Sequence, residues 1–293
     1  MMPPQFLVIG HIIQDLAPDE RAAAPAWRLG GTASYAALLA TRLGLNTAVL
    51  TAAAADLALE EALPGAEIVR VPSPRSTQMR NLYTATGRLQ YIPQRAPLIE
   101  LSSLPDDWRR AEIVLLGPVA GEVDDALAAC FPQALLGVSA QGWLRDIGPD
   151  GRVRPLPPQR WRAETVLRPA HVLFVSDEDL PPPRRRRAVL MRWSRQVEVL
   201  AYTRAERGAE ICHRGAWRHI DAFPAEAVDP TGTGDVFAAA FLIHYRETGD
   251  PWEAARFASG AASLIVESEG LADTPDRTMI EARLRAHPEI AAR

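Results

Sequence analysis

Apolar residues along the chain come in two rhythms. Short continuous runs close on glycine or polar residues. Phe6 to Gly10, Thr47 to Ala53 and Ala66 to Val71 read as buried strands, and Ile113 to Leu116, Ala134 to Val138, Val172 to Val175 and Val197 to Tyr202 continue the series. Between the first two lies Thr32 to Leu43, alanine-rich with apolar residues at helical spacing, opened by Gly30-Gly31 and closed by Gly44. Strand, helix and strand in that order predict a mainly parallel sheet flanked by helices. Residues 75 to 93 break the rhythm. Thr77 to Tyr83 alternates, Thr84-Ala85-Thr86-Gly87 turns, and Arg88 to Ile92 alternates again, which predicts a β-hairpin solvated on one face. A hairpin does not belong between the layers of a parallel sheet, so it reads as a lid. The predicted boundaries are a core of 1–10, 30–71 and 99–293 and a lid of 11–29 and 72–98. Ile211 to Ile220 reads as a second hairpin around Gly215, and Gly151 to Trp161 as a proline- and arginine-rich loop.

Composition narrows the chemistry. The 293 residues are 47% hydrophobic, enough for one large α/β domain, and carry a formal net charge of -4. A general affinity for nucleic acid needs a net basic face and is not expected. Neither a signal peptide nor a membrane span is read in the sequence, and two cysteines, Cys130 and Cys212, make no disulfide framework, so a cytoplasmic protein is expected. All 32 basic residues are arginine. Without lysine there is no P-loop, no protein-kinase β3 lysine and no Schiff base. Phosphate chemistry here must use backbone amides, arginines and metal. The run Pro181 to Arg187 is open between a basic recognition patch and a solvated loop entering a helix.

The most informative segment is Val228-Asp229-Pro230-Thr231-Gly232-Thr233-Gly234-Asp235, followed by an unbroken run of small and apolar residues from Val236 to Phe241. Glycines let the backbone turn tightly and approach a ligand. A helix N-terminus presents unpaired amides and the positive end of its dipole. Gly232, Thr233 and Gly234 thus predict an anion hole suited to a transferring phosphoryl group. Asp235, in the first helical turn, is open between a cap and a general base, and the dipole predicts a lowered pKa for it.

Asp229 to Asp235 resembles D-x-T-G-A-G-D, the second signature of the pfkB/ribokinase family, with Thr233 in place of alanine. Gly30-Gly31 with its alanine-rich helix resembles the first signature. Both stand in the family's order, and the early Gly10 and Asp15 and the hairpin match its layout. The resemblance implies a ribokinase-like three-layer α/β sandwich, mainly parallel, with a small β lid. It implies a cytoplasmic small-molecule kinase moving the γ-phosphoryl group of ATP to a hydroxyl of a small polyol, with Mg²⁺, a monovalent cation being an open addition. By the same resemblance Asp235 is the base, Asp15 and Gly30-Gly31 meet the substrate, and Asp229 and Thr231 belong to the phosphate loop. Thr203 and Gly208 form the nucleotide turn, Ser259 lies on the helix bordering the adenine pocket, and Asp179 organises Mg²⁺ through water. Departures are Tyr35 for an asparagine, Ser176 and Asp179 for Asn and Glu, and Ala205 for a glycine.

Further readings concern single positions. Met79, Asn81 and Tyr83 are open between substrate contact and cross-strand packing. Gln141 to Arg145 is open between lining the cleft, with Arg145 neutralising phosphate, and a surface loop around a partly buried Trp143. A lone His11 is more often packed than functional. A non-catalytic ligand sensor on the same fold is the alternative function, and a homodimer through the lid is an open expectation. A Rossmann oxidoreductase is a third reading that the sequence disfavours, because Gly10-His11-Ile12 gives no G-x-G-x-x-G loop.

Overall fold

The computed structural model describes residues 2–16, 27–84, 87–181 and 183–293. Its strands in chain order are β1 (Phe6–Ile9), β2 (Ile13–Leu16), β3 (Trp27–Gly30), β4 (Thr47–Ala53), β5 (Ala66–Pro72), β6 (Thr77–Thr84), β7 (Gly87–Gln94), β8 (Ile113–Leu116), β9 (Leu135–Ser139), β10 (Arg145–Ile147), β11 (Val153–Pro155), β12 (Val172–Ser176), β13 (Val199–Thr203), β14 (Ala209–His213) and β15 (Ala216–Ile220). The helices are α1 (Thr32–Arg42), α2 (Leu59–Ala62), α3 (Ala163–Leu167), α4 (Pro183–Trp193), α5 (Thr233–Thr248), α6 (Pro251–Ile265) and α7 (Arg277–Ala286).

Nine strands form the central sheet, in the order β15-β14-β13-β12-β9-β8-β1-β4-β5. From β13 to β5 all pairs are parallel, and the hairpin β14-β15 closes one edge antiparallel. The continuous apolar runs follow from this burial on both faces. Along β1, Phe6 and Val8 join the core under α1, α5 and α6, while Leu7 and Ile9 join the opposite core with Trp108, Trp161 and Trp193. Helix α5 is buried from Val236 to Ile243. Its alanines carry no bulk beyond Cβ, so α1, α6 and the sheet all pack against it.

The lid is a four-stranded sheet of order β3-β2-β6-β7, in which only β2 and β6 are parallel. The expected hairpin is present, and the centre of its turn, residues 85–86, lies outside the described residues. One reading needs correction. The stretch taken as a loop contains β11, which pairs antiparallel with β10, and Ile92 N donates to Gly151 O at 2.8 Å. Residues 145–155 therefore extend the lid. Three-residue strands are too short to show alternation, and their partner is fixed only by tertiary folding. The arginine run opens α4, with Arg184, Arg185 and Arg187 exposed, which favours the solvated reading for those three.

The lid leaves the core at a buried polar junction. His11 is fully buried. Its Nε2 lies 2.9 Å from Pro97 O and its Nδ1 2.8 Å from Thr77 Oγ1. A carbonyl only accepts, so Nε2 carries the proton and Nδ1 accepts from the threonine. Burial lowers the pKa of His11 and keeps it neutral. Glu122, also fully buried, accepts from the amides of His11, Val119 and Ala120 at 2.8, 3.0 and 2.6 Å. The crossings into and out of the lid are thus tied to one another and to the core.

Candidate active site

The loop before α5 is built from its own side chains. Asp229 Oδ1 accepts from Thr231 N at 2.9 Å, and Thr233 Oγ1 donates to Pro230 O at 2.8 Å. The amides of Val228 and Asp229 donate to Val266 O at the end of α6. Gly232 caps α5 at φ 79°, and a Cβ there would meet the Tyr35 ring at 2.4 Å, so the position demands glycine twice over. Gly234 is exposed, and a Cβ there would meet nothing within 4 Å. Its amide makes none of the bonds that return Thr233 and Asp235 to the carbonyls of Pro230 and Gly232. This is an open cradle at a helix N-terminus, of the kind that holds phosphate oxygens.

Asp235 is the third residue of α5, and its Oδ1 accepts from Thr32 Oγ1 at 2.7 Å. Its pKa stands at about 6, raised by burial and by the charge of Asp179, and opposed by the Thr32 bond and Arg145. The expectation of a lowered value is therefore corrected: loss of hydration outweighs the helix dipole. Thr32 was not singled out from sequence. A hydroxyl at the first helical position after the glycine pair is the signal that was available.

The pair Gly30-Gly31 has a steric explanation. A Cβ on Gly30 would stand 2.2 Å from Asp15 Oδ2, so the glycine makes room for that carboxylate. Gly31, at φ 89°, turns the chain into α1 and sets Thr32 on Asp235. Neither glycine lines the cavity described next.

That cavity, of about 540 Å³, lies between lid and loop, and its walls include Asp15, Arg28, Tyr35, Asn81, Asp229 and Thr231. Burial raises Asp15 to about 6, with Asp229 and Asp235 adding to the shift and Arg28 and Arg145 opposing it. Oδ1 of Asp15 and Oδ2 of Asp229 are buried without a hydrogen-bond partner. Arg28 lies 3.2 Å from that Asp229 oxygen as an ion pair and 3.5 Å from Glu269. Tyr35 is 1% exposed, and burial beside Asp229, Asp15 and Asp235 holds its phenol protonated well above the usual range. Arg145 Nη1 donates to Val119 O at 2.7 Å and Nη2 to Gln90 Oε1 at 3.5 Å.

Other expected residues fall elsewhere. Asn81 lines the cavity and accepts from Gln90 Nε2 at 2.9 Å. Met79 is a correction: it is buried with Ile13, Ile92, Val119 and Ala120 and packs rather than lining the cavity. Tyr83 lies on β6, but its side chain is outside the described residues. Trp143 is buried, stacks on Trp161 and donates to Asp125 at 2.8 Å. Thr203 and Gly208 flank a turn at the carboxyl end of β13, where a Cβ on Gly208 would meet Ile220 O at 2.0 Å. Ala205 in that turn takes φ 49°, the conformation a glycine would adopt freely. Asp179 Oδ2 accepts from Ser176 N at 3.0 Å. The neighbouring Asp177 carboxylate is tied to Tyr202, Arg186 and Arg207 and lies below the usual range; those partners outweigh the opposing effect of its burial. Ser259 is buried in α6, and neither it, Thr203, Gly208 nor Asp179 lines the cavity. Among the described residues no cluster of three or more His, Cys, Asp or Glu side chains could hold a metal, and no helix is long and apolar enough to cross a membrane.

Comparison with known proteins places the fold. The model of the pfkB family carbohydrate kinases matches residues 154–278. A cytidine kinase of Thermococcus kodakarensis is 24% identical over 275 residues, 85% of this chain and 90% of that protein. A nucleoside kinase of Methanothermobacter thermautotrophicus is 55% identical over 51 residues, 17% of this chain, and the match spans only 16% of that protein's length. Among solved structures, a pyrophosphate-dependent kinase of the ribokinase family, complexed with a pyrophosphate analogue and myo-inositol, superposes with a TM-score of 0.80 at 21% identity over 94% of this chain and 99% of that one. The chain thus has a ribokinase fold over nearly its whole length, and residues 154–278 match the domain of pfkB family carbohydrate kinases.

Proposed function

We propose that the protein transfers the γ-phosphoryl group of ATP to a hydroxyl of a small, uncharged polyol in the cavity between lid and loop. The observation that carries this reading is Asp235. It is held by Thr32 beside the open amide of Gly234; it is not itself among the residues lining the cavity, but its charge acts on Asp15 in the cavity wall. The acceptor hydroxyl gives its proton to Asp235 while its oxygen forms a bond to phosphorus and the donor's bridging oxygen departs. The open amide of Gly234 stabilises charge on the transferring group.

The residues present fit the donor. Gly234 leaves a cradle open, and the Thr203 to Gly208 turn lies at the same carboxyl edge of the sheet. Asp179 would reach Mg²⁺ through water, and bound Mg²⁺ would supply charge neutralisation across the phosphates. The lining of the acceptor cavity favours a neutral molecule. Among the described residues lining it, Asp15, Asp229 and Glu269 face one arginine, Arg28, which is already paired with two of those acids. Asp15 Oδ1, buried without a hydrogen-bond partner, wants a donor, which a sugar or cyclitol hydroxyl supplies.

The test is ADP release with Mg-ATP across nucleosides, free pentoses, cyclitols, sugar phosphates and sugar acids. A neutral acceptor is expected to lead every anionic one by at least about tenfold in kcat/KM, the scale of one uncompensated charge contact. Asp235→Asn is expected to lose at least about 10²-fold in turnover. No turnover with any acceptor, alongside ligand-induced thermal shifts, would favour the sensor. Phosphoryl transfer from pyrophosphate, with orthophosphate as the leaving product, and none from ATP would reassign the donor.

A further inference from the structure

One face of the lid sheet meets the cavity. Asp15 stands opposite Arg28 in the β2–β3 pair and opposite Met79 in the β2–β6 pair, and Asn81 stands opposite Gln90 of β7. Met79 and Asn81, two apart on one strand, share that face. Arg28, Asp15 and Asn81 line the cavity, and Gln90 lies behind Asn81.

The direction of the hydrogen bonds along this face is fixed. Arg145 Nη1 donates to Val119 O at 2.7 Å and Nη2 to Gln90 Oε1 at 3.5 Å. A guanidinium only donates, so the Gln90 amide turns its oxygen to it. The nitrogen of that amide lies 3.8 Å from Met79 Sδ, a weak acceptor, and donates to Asn81 Oδ1 at 2.9 Å. Turning the Gln90 amide over would set donor against donor at Arg145 and oxygen against acceptors at Asn81 and Met79. With its oxygen turned to Gln90, Asn81 keeps both hydrogens of Nδ2 for other partners.

We infer that Asn81 is a specificity-determining residue that presents an N–H donor to the acceptor molecule, and that Gln90 and Arg145 are positioning residues that fix this polarity. This rests on the kinase reading above. On the same face Asp15 Oδ1, buried without a hydrogen-bond partner, presents the opposite polarity. The lid therefore reads two oxygens of a polyol differently. One must be a hydroxyl, which gives its hydrogen to Asp15. The other need only accept, from Asn81.

The experiment takes the leading neutral acceptor of the ADP-release panel. Each non-reacting hydroxyl is replaced in turn by hydrogen, which neither donates nor accepts, or by fluorine, which only accepts. At the position read by Asn81 the fluoro analogue is expected to exceed the deoxy analogue in kcat/KM by about threefold or more, the scale of one neutral hydrogen bond. At the position read by Asp15 fluorine gives no such advantage. Asn81→Ala abolishes the difference. Gln90→Glu reverses the relay, because a carboxylate accepts from Arg145 and from Asn81 alike. Asn81 then turns its nitrogen to that carboxylate and its oxygen to the cavity. The fluoro analogue falls to the level of the deoxy analogue or below, while the parent hydroxyl donates instead and is retained as a substrate. Comparing each variant with the wild type cancels the intrinsic effect of fluorine on the reacting hydroxyl, and a merely structural role for Gln90 would slow all three acceptors alike. Should Gln90→Glu not fold, Gln90→Leu, which leaves Asn81 free to turn either way, is expected to narrow the difference. A fluoro-to-deoxy ratio that is the same at every position in wild type, Asn81→Ala and the Gln90 variant overturns the inference. A wild-type enzyme that turns over no acceptor would instead overturn the kinase reading, and the same ratios would then be taken from calorimetric Kd values on the polyol that binds best. No heat of binding with any polyol would overturn both.

Discussion

At the residue scale, the site holds carboxylates where they are costly. Asp235 and Asp15 each rise from 3.8 to about 6. Between those pH values the folded chain binds more protons than the unfolded one, so stability falls as pH climbs through that window and stays reduced above it. Asp235→Asn removes the penalty. The variant is expected to be more stable than the parent by about 1–2 kcal/mol at pH 7, the gain fading below about pH 4, as read by urea denaturation at both pH values. Equal stabilities at pH 7 would mean that Asp235 is not strained by burial. Ala205 carries strain of another kind. An L-residue in the left-handed region costs about 1–2 kcal/mol, and glycine costs part of that back in unfolded-state entropy. Ala205→Gly is therefore expected to raise stability by about 0.5–1 kcal/mol, which thermal melts would detect.

Among elements, the decisive contact is between strand β3 and the loop that opens α5. Arg28 crosses from the lid to Asp229 and Glu269, and across the β2–β3 pair it stands opposite Asp15. One arginine thus latches the lid over the cavity and balances its acids. It is half exposed, so each ion pair contributes at most about 1 kcal/mol. Arg28→Ala is expected to raise KM for the acceptor by several-fold with kcat nearly unchanged, the signature of lost binding common to ground and transition states. A fall in kcat with constant KM would place Arg28 in the chemistry instead.

For the whole molecule, the lid and the core share one fully buried carboxylate. Glu122 accepts three amides at the junction, from His11 on the way into the lid and from Val119 and Ala120. Glu122→Ala leaves those donors buried and unpaired. The expected loss is about 3 kcal/mol, from several unsatisfied groups at the scale of 1–3 kcal/mol each with partial relaxation. Hydrogen exchange would show it first as faster exchange across β2, β6 and β7. Exchange unchanged in the lid would remove Glu122 from that role.

Much of this architecture was legible in the chain itself. The alternation of buried runs with one alanine-rich helix determined a parallel sheet, because strands covered on both faces must be apolar throughout. The segment from Asp229 to Asp235 determined a glycine turn into a helix start, because both are local properties of the backbone. What tertiary structure alone decided is how distant residues share space. Gly30 is there for the carboxylate of Asp15, Thr32 for Asp235, and Gly232 for the ring of Tyr35. Met79 packs, and residues 145–155 join the lid. The raised pKa of Asp235 belongs to the same class. Dipole and sequence neighbours are written along the chain, but the loss of water around a side chain depends on which segments fold over it.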